Sequence, residues 1–316
     1  MKKIIFACIL GLLSTYTFAQ KNNVSGTVND EQGKPVPFAF IKDAKHNYAT
    51  FTDMNGGFNI KLDTADRLIV SARNFKGMVV KITPAQNVNI VMKADGSTTK
   101  AVNTDDIFTE KISTEGMSRN AATGYIAKES SVHGSRYFFA NGVHGYVITT
   151  ADSIKQDDSH LYNYQKMEGS LLFTDDGKTM KEIDRRLIKM FVLFDDQGSY
   201  VFENAPVIDS KHFVQVLATG SNYKIYKLLA TTFFPNDYVS NGMTSSGNNY
   251  DEIKDVPVYY AVKLPGGTPQ KFTLRSKALK AVFAADAVKV NKYLSGHDSD
   301  IDDAYIKNLG DYLNNQ

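Results

Sequence analysis

The 316-residue chain has one cysteine, Cys8, no tryptophan, and almost no net charge, with 36 Lys and Arg against 34 Asp and Glu. Cys8 lies in a segment built like an export leader. Lys2 and Lys3 precede an apolar run, Ile4 to Leu13, broken only by Gly11; Thr17-Phe18-Ala19 then sets small residues three and one positions before a cut between Ala19 and Gln20. Residues 1–19 are therefore expected to be a signal peptide, too short in their apolar stretch to be a membrane anchor. A lipobox reading of Ile5 to Cys8 fails because cleavage there leaves almost no apolar run. The mature chain is expected to hold no thiol, which excludes disulfides, thiolate metal sites and a cysteine nucleophile. Leader removal takes two lysines and no acid, leaving 34 charges of each sign. No dense Lys/Arg run exists, so nucleic acid and anionic membranes are not expected partners. No later apolar run approaches spanning length, so no transmembrane segment is expected in the mature chain.

What the chain does contain is apolar and aromatic residues, 42% and 11% of the total, and 316 residues suggest two domains. Short strand candidates run from Val24 to Met92: Val24–Val28, Phe38–Ile41, Tyr48–Thr52, Gly57–Leu62, Leu68–Ala72, Met78–Ile82 and Val88–Met92. Phe58, Ile60 and Leu62 alternate with Asn59 and Lys61, the period of a strand with one buried face. Asn55-Gly56 supplies the positive φ values of a tight hairpin. About seven strands at turn spacing fit a small sandwich.

These residues resemble the carboxypeptidase-regulatory-like family, a transthyretin-like β-sandwich of exported bacterial proteins. The likeness is carried by Ser25-Gly26-Thr27-Val28, Gly33-Lys34-Pro35-Val36-Pro37, Thr52-Asp53 with Asn55-Gly56, and Phe58. It implies a sandwich over residues 20–93 and an accessory module beside peptidases, outer-membrane receptors or uncharacterised partners, not a reaction. The peptidase implication fails on the histidines. Zinc carboxypeptidases need His and Glu three apart. None of His46, His133, His144, His160, His212 and His297 has Glu three residues on, and none stands in a His-Glu-x-x-His arrangement.

Ala94 to Asp106 (ADGSTTKAVNTDD) is polar and small, an expected linker. A β-rich domain is expected over residues 107–273. Its strand candidates are Arg136–Ala140, Gly145–Thr149, Leu161–Phe173, Thr179–Ile183, Leu187–Phe194, His212–Ala218, Tyr223–Phe234, Val256–Leu264 and Gln270–Leu274. Leu187–Phe194 reads as buried on both faces. The period then changes. Ser276 is expected to cap a helix through Ala284, a second helix spans Asp286–Leu294, and Asp300 opens a third, giving a helical tail, 274–316, packed on the second domain. The fold class is mainly β, or α+β: an N-terminal seven-stranded sandwich, then a β-rich domain closed by C-terminal helices. Gly134 to Tyr137, Leu161 to Tyr164 with Met167-Glu168, Phe213 to Tyr226 and the tail are similar to a C-terminal region of uncharacterised bacterial envelope proteins. That similarity implies no reaction.

Candidate chemistry is sparse. Asp298, Asp300 and Asp302 alternate like the start of a calcium loop, but its sixth position is Asp303 instead of glycine and its twelfth is Leu309 instead of glutamate. Acids opening a helix explain them better. Gly177-Lys178-Thr179 imitates a phosphate loop, with Leu172 where the first glycine belongs. No Gly-x-Ser-x-Gly elbow occurs. His133, His144 and His160 crowd one region. Asp157-Asp158 and Asp195-Asp196 read as polar turns. Tyr223, Tyr226 and Tyr259, with Tyr238, Tyr250 and Tyr260, either line a binding groove or pack a β-core as cross-strand pairs. The absence of tryptophan disfavours a dedicated sugar platform.

No cofactor is expected, and no catalytic motif is recognisable. The sequence favours an exported, non-catalytic envelope protein, in the periplasm or on the outer cell surface, that binds or assembles with envelope proteins or surface polymers. Two alternatives stay open: a hydrolase whose site is dispersed through the second domain, and a ligand-binding accessory to surface transport or sensing.

Overall fold

The computed structural model describes residues 22–62, 66–82, 87–96 and 132–315. The expected leader with its Ala19/Gln20 cut, most of the expected linker, and residues 107–131 lie outside them. The chain divides into two compact units, Met1–Thr98 and Thr99–Gln316.

The first unit is a seven-stranded sandwich. One sheet has the order β4 (Gly57–Leu62), β1 (Asn22–Asp30), β7 (Asn87–Met92), with β1 antiparallel to β4 and parallel to β7. The other has the order β3 (Ala49–Phe51), β2 (Phe40–Asp43), β5 (Arg67–Ser71), β6 (Met78–Lys81). Val24, Val28, Phe58, Ile60, Leu62, Leu68, Val70 and Met92 meet in one core, each 6% exposed or less. The period-2 alternation of β4 places its apolar set there.

The motif residues of this unit are structural. A Cβ on Gly26 would fall 2.1 Å from the Val88 carbonyl oxygen and 2.7 Å from the Phe58 ring, so glycine lets that ring cover β1. Thr52 is fully buried; its hydroxyl donates to the Val36 carbonyl (2.7 Å) and accepts from the Ala39 amide (2.8 Å). At the β3–β4 turn only Gly56 takes a positive φ, 73°, not both residues of the Asn-Gly pair. Asp53 closes the turn instead, its Oδ1 accepting from the amides of Asn55 and Gly57, each at 2.8 Å.

The second unit is built on a nine-stranded sheet. Its main path runs β10 (Ile154–Lys155), β9 (His144–Thr149), β14 (Ile188–Asp195), β15 (Gly198–Glu203), β16 (Val214–Thr219), β17 (Tyr223–Phe234), β20 (Asp251–Lys263), β21 (Gln270–Phe272), and β8 (Val132–His133) pairs with β20. A three-stranded sheet, β11 (Leu161–Gln165), β12 (Ser170–Thr174) and β13 (Lys181–Glu182), stands beside it, and β18 (Val239–Ser240) pairs with β19 (Ser245–Ser246). The chain closes with α1 (Ser276–Val282), α2 (Ala287–Gly296) and α3 (Asp303–Asn314).

Several expectations shift here. Arg136–Ala140 is not a regular strand: its backbone bonds to β11 only around Tyr137, through Phe138 N–H to Tyr164 C=O (2.9 Å) and Lys166 N–H to Arg136 C=O (2.7 Å), and at Phe139 the side-chain amide of Asn163 takes over, accepting from the N–H (3.1 Å) and donating to the C=O (2.8 Å). Leu161–Phe173 is two strands, turned at Gly169 (φ 74°). β15 forms where the sequence reads as the end of a turn. Ser276 is the first residue of α1 and not its cap, which is Arg275 with no side-chain bond. The last helix opens three residues later than Asp300, with Asp302 as cap accepting from the Tyr305 amide (2.8 Å).

Ladder registers put Phe191, Phe202, Gln215, Lys227, Tyr259 and Phe272 on one rung, hence on one face of the sheet. The two ends of that rung lie in different cores. Phe191 and Phe202 pack with Tyr164 and Leu171 of the small sheet. Tyr259 and Phe272 pack with Leu279, Phe283, Val290, Ile306 and Leu309 of the helices. Each fully buried Leu, Ile, Val or Phe there contributes about 1.5–3 kcal/mol. The polar pair Gln215 and Lys227 marks the seam between the cores.

Candidate functional site

Two of the clefts in the second unit have charged side chains in their linings. The larger encloses about 750 Å³ and lies where the sheet forks. β15 and β16 pair only through Val201–Val216, Phe202–Gln215 and Glu203–Val214. Beyond those pairs β15 stays with β14 as far as Gly198, and β16 stays with β17 as far as Thr219. The cause lies in β16, whose register slips between Val216 and Ala218. A residue added on one strand bends it and ends its pairing. Residues from both sheet faces and from the Asp303, Ala304, Lys307 and Asp311 side of α3 line the opening.

Two carboxylates of this cleft are already matched, while Lys307 and Asp311 also line it. Glu203 pairs with Lys224 and accepts from the Tyr226 hydroxyl at 3.3 Å. Asp303 accepts from Lys227 (2.5 Å) and from the Tyr259 hydroxyl (2.8 Å). Nearby, Tyr223 donates to Asp286 at 2.6 Å. Burial, reinforced by the carboxylate each one faces, pushes all three phenols well above their ordinary range. One buried polar atom of the lining has no match: Gln215 is 9% exposed, and its Oε1 is buried without a hydrogen-bond partner.

The second cleft, about 420 Å³, has an apolar wall including Val147, Tyr162, Phe173 and Ile188, with Asp157 and His160 at its rim. Asp157 Oδ2 is 4.0 Å from His160 Nε2. The Ser159 hydroxyl donates to Asp157 (2.6 Å), as does the Ser159 amide, and these bonds hold the carboxyl below the usual range. A hydroxyl spent on the carboxylate is not poised for proton transfer to the imidazole.

The candidate groove tyrosines do not converge. Tyr223 and Tyr259 are buried beneath the helices, while Tyr226 packs on the opposite sheet face with Val214 and Leu228. Asp298 and Asp300 are exposed, and Asp302 caps α3. No group of three His, Cys, Asp or Glu side chains suited to a metal ion occurs among the described residues. A recurring pattern escapes the His–Glu spacing: aspartate three residues before histidine. Asp43–His46 (2.9 Å) and Asp209–His212 (3.0 Å) are hydrogen-bonded versions, and Asp157–His160 is the looser third. In each, the aspartate also accepts from the amide two residues on, a local turn device visible in the sequence.

Residues 24–105 match the family model described as CarboxypepD_reg-like domain. The chain is also 30% identical over 96 residues to the TonB-dependent receptor SusC of Bacteroides thetaiotaomicron, an alignment covering 30% of this chain. It spans 9% of that receptor's length. The seven-stranded sandwich, the Gly26–Phe58 contact and the Thr52–Asp53 turn agree with the family match, and residues 24–105 form a CarboxypepD_reg-like domain.

Proposed function

We propose that the chain is an exported, non-catalytic binding or assembly protein of the bacterial cell envelope. In this reading residues 20–93 are the accessory sandwich, 94–106 the linker, and 107–273 with the tail 274–316 the part that holds a partner. The observation carrying it is the engagement of the acids at the forked cleft. Glu203 and Asp303 in the cleft already accept from Lys or Tyr donors, which leaves Asp311 as a lone lining carboxylate and favours a shaped binding surface over a paired acid and base. The likeness to a TonB-dependent receptor supports a place in envelope transport, as an accessory to it. The second reading, a hydrolase, draws on Asp157 and His160 beside the apolar cleft.

One measurement separates them. The purified protein is incubated with panels of peptide, glycoside and ester substrates, alongside its His160→Ala variant. The binding reading expects no turnover by either protein. Turnover lost on His160→Ala would establish the hydrolase instead, and turnover that survives it would place a reaction elsewhere; both overturn the proposal.

A further inference from the structure

We propose that the fork between β15 and β16 receives an extended peptide segment of a partner protein, which adds a strand between the two diverging edges. The inference rests on the binding reading above and names the partner class for its larger cleft.

The first support is the backbone. Ser199 and Tyr200 of β15 are laddered to β14 on one side only, and Ala218 and Thr219 of β16 to β17 on one side only. Among the described residues, no strand takes the other edge of either segment. Two edges in strand conformation thus face a common opening, each carrying N–H and C=O groups that seek a partner. A protein strand is the ligand whose own alternating N–H and C=O groups match both edges at once.

Independent support comes from Gln215. Its side chain lines the cleft, is more than nine-tenths buried, and leaves Oε1 without a donor. An unpaired buried acceptor is unfavourable, and a donor carried in by a ligand satisfies it. Gln215 lies one pair inside the Val201–Val216 pair that ends the ladder, so its side chain can turn to meet a peptide N–H seated at the apex of the fork.

The walls suit such a guest. Met190, Val201 and Val216 offer apolar surface on one side, and the Asp303, Lys307 and Asp311 side of α3 offers charges of both signs on the other. An inserted strand places alternate side chains toward these two environments. The expected guest is a segment alternating apolar with polar or charged residues, without proline, whose missing N–H breaks the ladder.

The test pans a display library of unconstrained linear peptides against the purified full chain, with an oligosaccharide array as the competing probe. Selected peptides are measured by calorimetry against the wild type, Ala304→Trp, which fills the mouth from α3, and Gln215→Leu. The expected result is enrichment of alternating sequences, loss of binding with Ala304→Trp, and roughly tenfold weakening with Gln215→Leu. N-methylation at either of two adjacent peptide residues should weaken binding about tenfold, because both edges of an inserted strand are paired. Peptides tolerant of methylation at alternate residues dock on a single edge and overturn the proposal. So does the absence of any enriched peptide, or peptide binding unaffected by Ala304→Trp. Oligosaccharide binding lost in Ala304→Trp, with no peptide selected, would sink the strand insertion and leave the binding reading standing.

Discussion

The side-chain amide of Asn314 is hydrogen-bonded to both backbone groups of Tyr223. Its Oδ1 accepts from the Tyr223 amide at 2.8 Å, and its Nδ2 donates to the Tyr223 carbonyl at 3.0 Å. The same oxygen accepts from the Asn222 amide at 3.0 Å. The last turn of α3 thereby serves as a partner for the start of β17. Gly220 permits the approach, since a Cβ there would fall 2.4 Å from the Asn314 side chain.

Asn314→Ala leaves these backbone groups without their partner, at an expected cost of about 1–3 kcal/mol in chemical denaturation. Asn314→Asp keeps the acceptor and loses the donor, and should fall between the wild type and the alanine variant. A loss under about 0.5 kcal/mol for Asn314→Ala would show that the contact does not hold α3 to the sheet.

Gly310 of α3 meets the same strands. A Cβ at Gly310 would lie 2.4 Å from the Ala218 Cβ and 2.9 Å from the Ile225 Cδ1. Helix propensity alone favours Gly310→Ala by about 1 kcal/mol. Overpacking opposes it by about 1–3 kcal/mol, so the variant is expected to be destabilised. Ala218→Gly in the same chain should return part of the loss. A stabilised single variant would mean that the helix stands farther from the sheet.

Alkaline pH should expose the buried phenols. Burial pushes Tyr146 up to about 12 from the ordinary 10.0, and holds Tyr162 and Tyr164 higher still, with Tyr223, Tyr226 and Tyr259 raised in the same way. Folding favours the neutral form. The contribution is therefore complete below the unfolded value near 10 and is lost as pH rises through the folded values. Phenolate absorbance should show a late fraction ionising with loss of the circular dichroism signal. A single step near pH 10 with structure intact would contradict it.

Acid has the opposite sign at Asp157, whose carboxyl is lowered by the hydroxyl and amide of Ser159. That contribution is complete above the ordinary aspartate value and disappears as pH falls through the lower folded one. Ser159→Ala removes the hydroxyl donor, and the Asp157 titration followed by carboxyl-carbon NMR should move up toward the ordinary value. No movement would show that the hydroxyl does not hold the carboxylate.

The two units differ in how far their residues reveal them. In the sandwich the motif residues act within their own turn or strand, or on the residue directly opposite in the ladder. Gly26 makes room for Phe58, Asp53 ties its own turn, and β4 alternates residue by residue. Roles of this kind leave a recognisable residue in each strand and turn, so strand positions and family likeness can be read together. The second unit is less legible where distant residues substitute for local partners. Asn163 stands in for a strand beside Phe139, and Arg136–Ala140 looks like a strand without being one. The aromatic content of β17 and β20 marks core, but which tyrosine faces which core depends on register.

By itself, the sequence determined the class of fold, the order of most strands, the helical ending, and the poverty of catalytic motifs, because composition and period act over a few neighbouring residues. Only the tertiary structure decided that β16 slips beside Val216 and parts from β15, and that Gln215 is left at a seam without a donor. A lone glutamine in an apolar strand is visible in the sequence. Whether a partner reaches it depends on groups brought together across the sheet, and chain-local patterns carry no record of that meeting.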